Sequence, residues 1–250
     1  MGRNVNAPPL TVPRGFRVIA HRGASGYAPE NTHAAFALAA KMGVREVEFD
    51  LQFSKDRHIV LVHDAVLDRY GFPGCRVADM TLAELKALDM GKWFGDCQFS
   101  GEQVATLDEV LAAFGDRFIY HAEIKVPAAG LARLVLERFA SHGLRGQMIV
   151  TSFVFDALRE VADLSPGQPL AWLVRHGDFT PANVERAAAA GVFQFCPRAD
   201  ETDVGTVAAA KAQVPEIRAH GITCIDDLRQ AVQAGCDGVT INWPDWLQHG

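Results

Sequence analysis

Runs of β-branched and apolar residues alternate with Ala/Leu-rich amphipathic stretches along nearly the whole chain, and this alternation limits the fold more than any other feature. Parallel strands need helix-length crossovers, so strands that alternate with helical patterns point to a parallel sheet covered by helices. Eight strand-like runs stand out: Arg17 to Ala20, Glu46 to Phe53, Ile59 to Val62, Phe118 to Lys125, Gln147 to Thr151, Leu170 to Val174, Val192 to Cys196 and Gly238 to Ile241. Helical patterns cover Thr32 to Met42, Leu107 to Phe114, Gly130 to His142, Phe153 to Ala162, Pro181 to Ala190, Val204 to His220 and Asp226 to Ala234. Eight such runs in 250 residues predict an α/β chain of one domain over 1–250, a (β/α)8 TIM barrel.

The rhythm breaks once. Residues 64–105 hold a single short helical pattern, Leu82 to Leu88, among Gly, Pro, aromatic and charged residues, which predicts an insertion after an early strand. Excursions of this length serve either as binding caps or as plain surface loops.

Charged residues fall where a strand should present core. Side chains two apart share a face, so Glu46, Glu48 and Asp50 point one way, as do His121, Glu123 and Lys125. On an edge strand such acids would face solvent, but a closed barrel has no edges and turns them toward a polar site in the lumen. His21 and Arg22 end the first run and His63 with Asp64 ends another, where barrel enzymes keep their chemistry. Gathered together, Glu48, Asp50 and Glu123 outweigh Arg22 and Lys125 by one negative charge, which is costly to leave unpaired in a desolvated pocket. A divalent cation would make the pocket positive and able to hold a monoanionic phosphodiester. Carboxylates without a nearby cysteine favour Mg²⁺ or Ca²⁺ over zinc. Arg22 and Lys125 would then neutralise phosphoryl charge while His21 and His63 move protons.

Composition narrows the partners. With 24 basic against 30 acidic residues the net charge is −6, which argues against a long nucleic-acid or anionic-membrane footprint. The five cysteines form no C-x-x-C pair and read as small buried apolar groups in a reducing compartment. Met1 to Arg14 carries no signal-peptide core, and no segment reaches the roughly 18 apolar residues of a membrane span. The expectation is a soluble cytoplasmic protein; its oligomeric state is not legible.

Taken in order, several segments resemble the glycerophosphodiester phosphodiesterase family of bacterial cytoplasmic type. They are His21-Arg22-Gly23-Ala24, Pro29-Glu30-Asn31-Thr32, Glu48-Phe49-Asp50, His63-Asp64, Gly91-Lys92-Trp93-Phe94, Gly101-Glu102, Thr106-Leu107-Asp108-Glu109-Val110, Glu123-Ile124-Lys125, Thr151-Ser152-Phe153 and, near the end, Ala234 to Gly238 with Pro244. The resemblance implies a barrel with a small cap and hydrolysis of small-molecule glycerophosphodiesters, such as glycerophosphocholine or glycerophosphoethanolamine, to glycerol 3-phosphate and an alcohol. It implies Glu48, Asp50 and Glu123 as metal ligands, His21 and His63 as the acid–base pair, and Arg22 and Lys125 as phosphate contacts. Glu30 is similar to a further polar residue of that site, or is simply an acid ahead of a helix. Attack by the substrate's own glycerol hydroxyl through a cyclic phosphate and direct attack by water both remain open, as does which histidine is acid and which is base.

The chain departs from the family's pattern near its end. Gly221 to Asp227 replaces the strand that usually ends in Trp-Thr-Val-Asn, and Ile241-Asn242 stands in place of Thr-Asp. An abbreviated seventh strand is therefore expected, with an apolar wall of the substrate pocket missing unless Trp243 supplies it; packing is the plainer role for Trp243. Two rival readings follow. One is a non-catalytic phosphodiester-binding module, against which both retained histidines argue. The other is a related barrel phospholipase of the sphingomyelinase D or phosphoinositide type, which would need Tyr70 to Pro73 and Trp93 to Phe99 as exposed membrane-facing aromatics.

Overall fold

The computed structural model describes residues 9–95, 97–126 and 128–250; part of the amino-terminal stretch read above as lacking a leader lies outside them. Eight parallel strands close into a barrel: β1 (Arg17–His21), β2 (Glu46–Phe53), β3 (Ile119–Ile124), β4 (Met148–Ser152), β5 (Leu170–Leu173), β6 (Gln194–Cys196), β7 (Glu216–Ala219) and β8 (Gly238–Ile241). Each pairs with its successor, and β8 pairs with β1 to complete the ring. Helices α1 (His33–Lys41), α2 (Leu82–Lys86), α3 (Leu107–Phe114), α4 (Leu131–Ser141), α5 (Phe155–Leu164), α6 (Pro181–Ala189), α7 (Val204–Lys211) and α8 (Ile225–Gln233) follow; all but α2 belong to the outer ring. Thr32, Thr106 and Thr180 start α1, α3 and α6 by accepting a backbone N–H with their side chains, which satisfies donors that the first helical turn would leave unpaired.

Two of the expected elements are different. Ile59 to Val62 is not a barrel strand: Ile59–Leu61 folds back antiparallel on the end of β2, with Phe53 opposite Ile59 and Leu51 opposite Leu61. Only Ser54 to His58 joins the two, too short for a crossover, so the connection has to be a hairpin. The helical pattern Val204 to His220 is also split. Helix α7 stops at Lys211, and Glu216–Ala219 forms β7, the barrel strand that the hairpin strand had replaced in the expected set of eight. This seventh strand is short, pairing two residues with each neighbour. Its Glu216 and Arg218 hide it in the sequence, because charge at alternate positions interrupts the apolar run by which strands are recognised.

The main core lies between the barrel and its helices, where Phe36, Phe49, Tyr120, Phe139 and Phe195 are completely buried. A smaller apolar cluster of Ile149, Ala171, Leu173 and Cys196 fills part of the lumen. Below it, polar groups close the barrel floor. Arg17 pairs with Glu46 at 2.9 Å and Glu216 at 3.0 Å, His121 Nε2 lies 2.8 Å from Glu46, and Gln194 donates to Glu216. The insertion between the hairpin and α3 has its own apolar centre of Leu67, Tyr70, Val77, Leu85 and Met90, with Phe72 and Trp93 packed on it. Trp93 meets Tyr70 edge to face, as Phe94 does Phe99; Tyr70 is buried in the cap's centre, while Trp93, Phe94 and Phe99 are half-buried and packed on one another.

Of the cysteines, Cys196 and Cys236 are buried as expected, whereas Cys97 and Cys224 are exposed; all five are free thiols. Among the described residues, no helix is long and apolar enough to cross a membrane.

Candidate active site

The carboxyl ends of β1, β2 and β3 converge on one cavity. Parallel register sets His21 beside Glu48, Glu48 beside His121, and Asp50 beside Glu123, so the inward parity read from the sequence becomes proximity across three strands. Glu48, Asp50 and Glu123 each place one carboxylate oxygen so that all three lie within 4.8 Å of one another. All three residues are buried, and Glu48 Oε1 and Asp50 Oδ1 have no hydrogen-bond partner. Lys125 Nζ forms ion pairs with Asp50 Oδ1 at 3.5 Å and Glu123 Oε1 at 3.3 Å, so Asp50 Oδ1 has a cation beside it but no hydrogen bond, while Glu48 Oε1 has neither among the described residues. Hard oxygen donors, orphaned and converging, fit a hard divalent cation; without one, burial and the neighbouring charges of Asp50 and Glu123 push the Glu48 carboxyl well above its usual range. Glu123 is likewise pushed up to about 7, by burial and then by Asp50. Burial opposes the charge of Asp50 as well, yet the cations Arg22 and Lys125 and the Asn31 amide hold it below the ordinary carboxylate value.

Arg22 sits at φ 55°, a left-handed conformation that few side chains adopt, and Asn31 at φ 58° repeats it. These turns aim both residues at Asp50. The Arg22 Nε lies 3.0 Å from Asp50 Oδ2, and Asn31 Nδ2 donates to the same oxygen at 2.9 Å. Gly23 follows at φ 78°, where a Cβ would fall 2.6 Å from the Ala35 backbone, so only glycine lets this turn press against α1. Arg22 also bonds Glu30 at 3.0 Å. Glu30 in turn accepts from Arg69 at 2.6 Å and from the Tyr70 hydroxyl at 2.7 Å, which ties the cap to the barrel mouth. Burial alone would raise the Glu30 carboxyl, but Arg69, Arg22 and Tyr70 together hold it at about 2.

The two histidines have different partners. His21 Nδ1 lies 2.6 Å from Asn242 Oδ1, just beyond β8, and its Nε2 lies 3.8 Å from Glu48. Burial, and then the adjacent Arg22 charge, lower His21 to about 3. His63, on the loop that enters the cap, bonds through Nδ1 to Asp64, which Arg69 holds at 2.8 Å. Burial and the cations Arg22 and Lys125 lower His63 too, against the opposing pull of Asp50 and Asp64.

All eight residues singled out from the sequence therefore lie in or against one site. His21, Arg22, Glu48, His63, Glu123 and Lys125 line the cavity, Asp50 is buried behind Arg22, and Glu30 braces Arg22 from the cap side. Sequence reasoning passed over Asn31 and Asn242, which orient Asp50 and His21, and Arg69, which joins Glu30 to Asp64. In the sequence Asn31 stands out only as part of the Pro29-Glu30-Asn31-Thr32 segment and Asn242 only as a departure from the family's pattern, since an amide carries no charge to count. Trp243 does not line the cavity. It stacks on Trp246 with ring centroids 4.6 Å apart, so it is packing and not a substrate wall.

A closed barrel whose strand ends gather three acids, two histidines and two cations around one cavity is the framework of a TIM-barrel enzyme. The glycerophosphoryl diester phosphodiesterase family model matches residues 21–246, and the chain belongs to that family. A glycerophosphodiester phosphodiesterase of Caldanaerobacter subterraneus is 32% identical over 234 residues, covering 92% of this chain and 95% of that one. One of Bacillus subtilis is 32% identical over 258 residues, covering 94% and 86%. Among solved structures, an Oleispira antarctica phosphodiesterase in complex with the product sn-glycerol-3-phosphate is 29% identical, with a TM-score of 0.82 over 94% of each chain. This chain is accordingly a phosphodiesterase of the glycerophosphodiester type.

Proposed function

We propose that the chain hydrolyses small glycerophosphodiesters, such as glycerophosphocholine and glycerophosphoethanolamine, to glycerol 3-phosphate and the free alcohol in a metal-dependent reaction driven by two histidines. The observation that carries this reading is the convergence of three buried carboxylates, two with orphaned oxygens, between His21 and His63. Glu48, Asp50 and Glu123 would hold Mg²⁺ or Ca²⁺, which when bound supplies the positive charge that draws in and polarises the phosphodiester. Arg22 and Lys125 contribute fixed and mobile positive charge to the phosphoryl oxygens as negative charge grows there.

The histidine partners suggest an order of proton movement. Asn242 accepts from His21 Nδ1, which leaves Nε2 with its lone pair free, and burial keeps this ring neutral. His21 is therefore suited to take a proton from the attacking hydroxyl. His63 is also lowered overall, but the Asp64 carboxylate opposes that lowering, so of the two rings His63 is the better suited to carry a proton to the leaving alkoxide. Arg69 keeps Asp64 turned toward His63.

Incubating the purified protein with glycerophosphocholine and either Mg²⁺ or Ca²⁺, then assaying glycerol 3-phosphate enzymatically, tests the reading. Metal-dependent release is expected. No release at any protein concentration would leave a binding module in place of a hydrolase.

A further inference from the structure

The active-site cavity, about 270 Å³, has a second half that the chemistry above does not use. Arg218 of β7, His220 just after it, Ile222, Thr240 of β8, Phe153 after β4 and Leu173 of β5 line it. Arg218 is 1% exposed and is one of the largest fully buried side chains. Its Nη1 donates to Thr240 Oγ1, but Nε and Nη2 have no hydrogen-bond partner. Glu216, two residues earlier on the same strand, is already engaged by Arg17 and Gln194, and among the described residues no carboxylate forms an ion pair with Arg218. The neighbouring Cys196 thiol lies within hydrogen-bonding reach of Arg218 but is pushed up by burial, so it brings no compensating charge. His220 gives its Nε2 hydrogen to the Val174 carbonyl and is lowered to about 4 by burial, so it is neutral near pH 7.

A buried guanidinium with two open donors and no counter-ion is expensive unless something anionic completes it. A glycerol hydroxyl could fill a donor but would leave the charge. An anion answers both needs, and the planar donor fork favours a carboxylate or phosphate. We propose that Arg218, supported by Thr240, is a specificity subsite for an acidic group on the alcohol part of the diester. The chain would then favour substrates whose head group carries its own carboxylate or phosphate. Phe153 and Leu173 provide an apolar side for the intervening carbons. This inference rests on the diester-hydrolase reading and adds the substrate class to it.

Glycerophosphoserine and glycerophosphoethanolamine differ by one carboxylate, so their kcat/KM ratio reads the subsite directly. In the wild-type protein the serine diester should be preferred by about tenfold, within the range of a charge-assisted bidentate pair. Arg218→Met should bring the ratio near one, and Arg218→Lys, which keeps the charge without the fork, should fall between. A wild-type ratio near one overturns the subsite and leaves the hydrolase reading intact. Equal losses on both substrates in either folded variant also overturn it, by placing Arg218 against the common glycerol part. Calorimetric binding of the two diesters in Ca²⁺ to a His63→Ala background, which should not turn over, reads the same preference without hydrolysis. Tighter binding of the serine diester supports the subsite even where no diester is cleaved, and equal binding refutes it.

Discussion

Replacing Glu123 by glutamine should make the metal-free protein more stable while weakening its response to metal. Without metal the Glu123 carboxyl is pushed up to about 7 from an ordinary 4.5, because it is buried and lies beside Asp50. The folded state therefore holds this proton more tightly than the unfolded chain does, and stability falls as pH rises from 4.5 to 7. Above that window the native state carries a deficit of roughly 3 kcal/mol from this one group. Glu123→Gln removes the deficit, a net figure in which the favourable 3.3 Å pair with Lys125 is already included. In EDTA at pH 8 the variant should melt roughly 5–10 °C above wild type, and near pH 4.5 the two should coincide. Adding Mg²⁺ or Ca²⁺ should raise the wild-type melting temperature by ligand linkage and the variant's by much less. Differential scanning fluorimetry across this pH range, with chelator or metal, makes the comparison. A variant less stable than wild type in EDTA at pH 8 would show that the acids are not strained against one another, and the case for a cation site would lose its physical basis.

Other substitutions test the remaining groups. His63→Ala should abolish turnover, by about 10²- to 10⁴-fold if it acts as a general acid, while circular dichroism and melting temperature stay near wild type; near-normal activity would remove the acid–base role. Glu48→Gln should weaken metal binding in isothermal titration and lose metal-dependent activity, and unchanged affinity would break the ligand assignment. Glu30 is held at about 2, so the stability it contributes is full above its ordinary 4.5 and is lost as pH falls toward 2, by roughly 3 kcal/mol. Glu30→Gln should flatten the acid-denaturation curve in that window, and an unchanged curve would mean that the ion pairs with Arg22 and Arg69 do not anchor the cap.

The polar face of β2 was the most legible part of the site, because Glu46, Glu48 and Asp50 share a parity that no apolar packing explains. Parity says that side chains share a face; only closure of the barrel makes that face a lumen. The same logic failed for β7, where Glu216 and Arg218 are equally inward but the strand has only four residues. The Ala-rich α7 just ahead of it extends its helical pattern across the boundary, and Pro215 marks the break too weakly to locate a strand. The swap with Ile59–Leu61 preserved the number eight by accident of length. Supporting contacts such as Asn242 with His21 and Arg69 with Glu30 join residues 221 and 39 positions apart, and nothing local in the sequence announces them.

Those long-range contacts explain why a cap of its own small core belongs to the site at all. Arg22, held at φ 55°, divides its guanidinium between Asp50 inside the barrel and Glu30 at the mouth. Glu30 faces the cap residues Arg69 and Tyr70, and Arg69 reaches on to Asp64 behind His63. One chain of ion pairs and hydrogen bonds therefore runs from the acidic cluster through Arg22 to the cap and back to a histidine. Loss of Arg69 breaks that chain at two points, leaving Glu30 with a single cationic partner and Asp64 free to turn from His63. Arg69→Ala should consequently lower kcat more than it raises KM, because it disturbs the orientation of groups that act in the transition state and removes no direct contact with substrate. A pure rise in KM, or no kinetic effect, would reduce the cap to a cover and sever it from the chemistry.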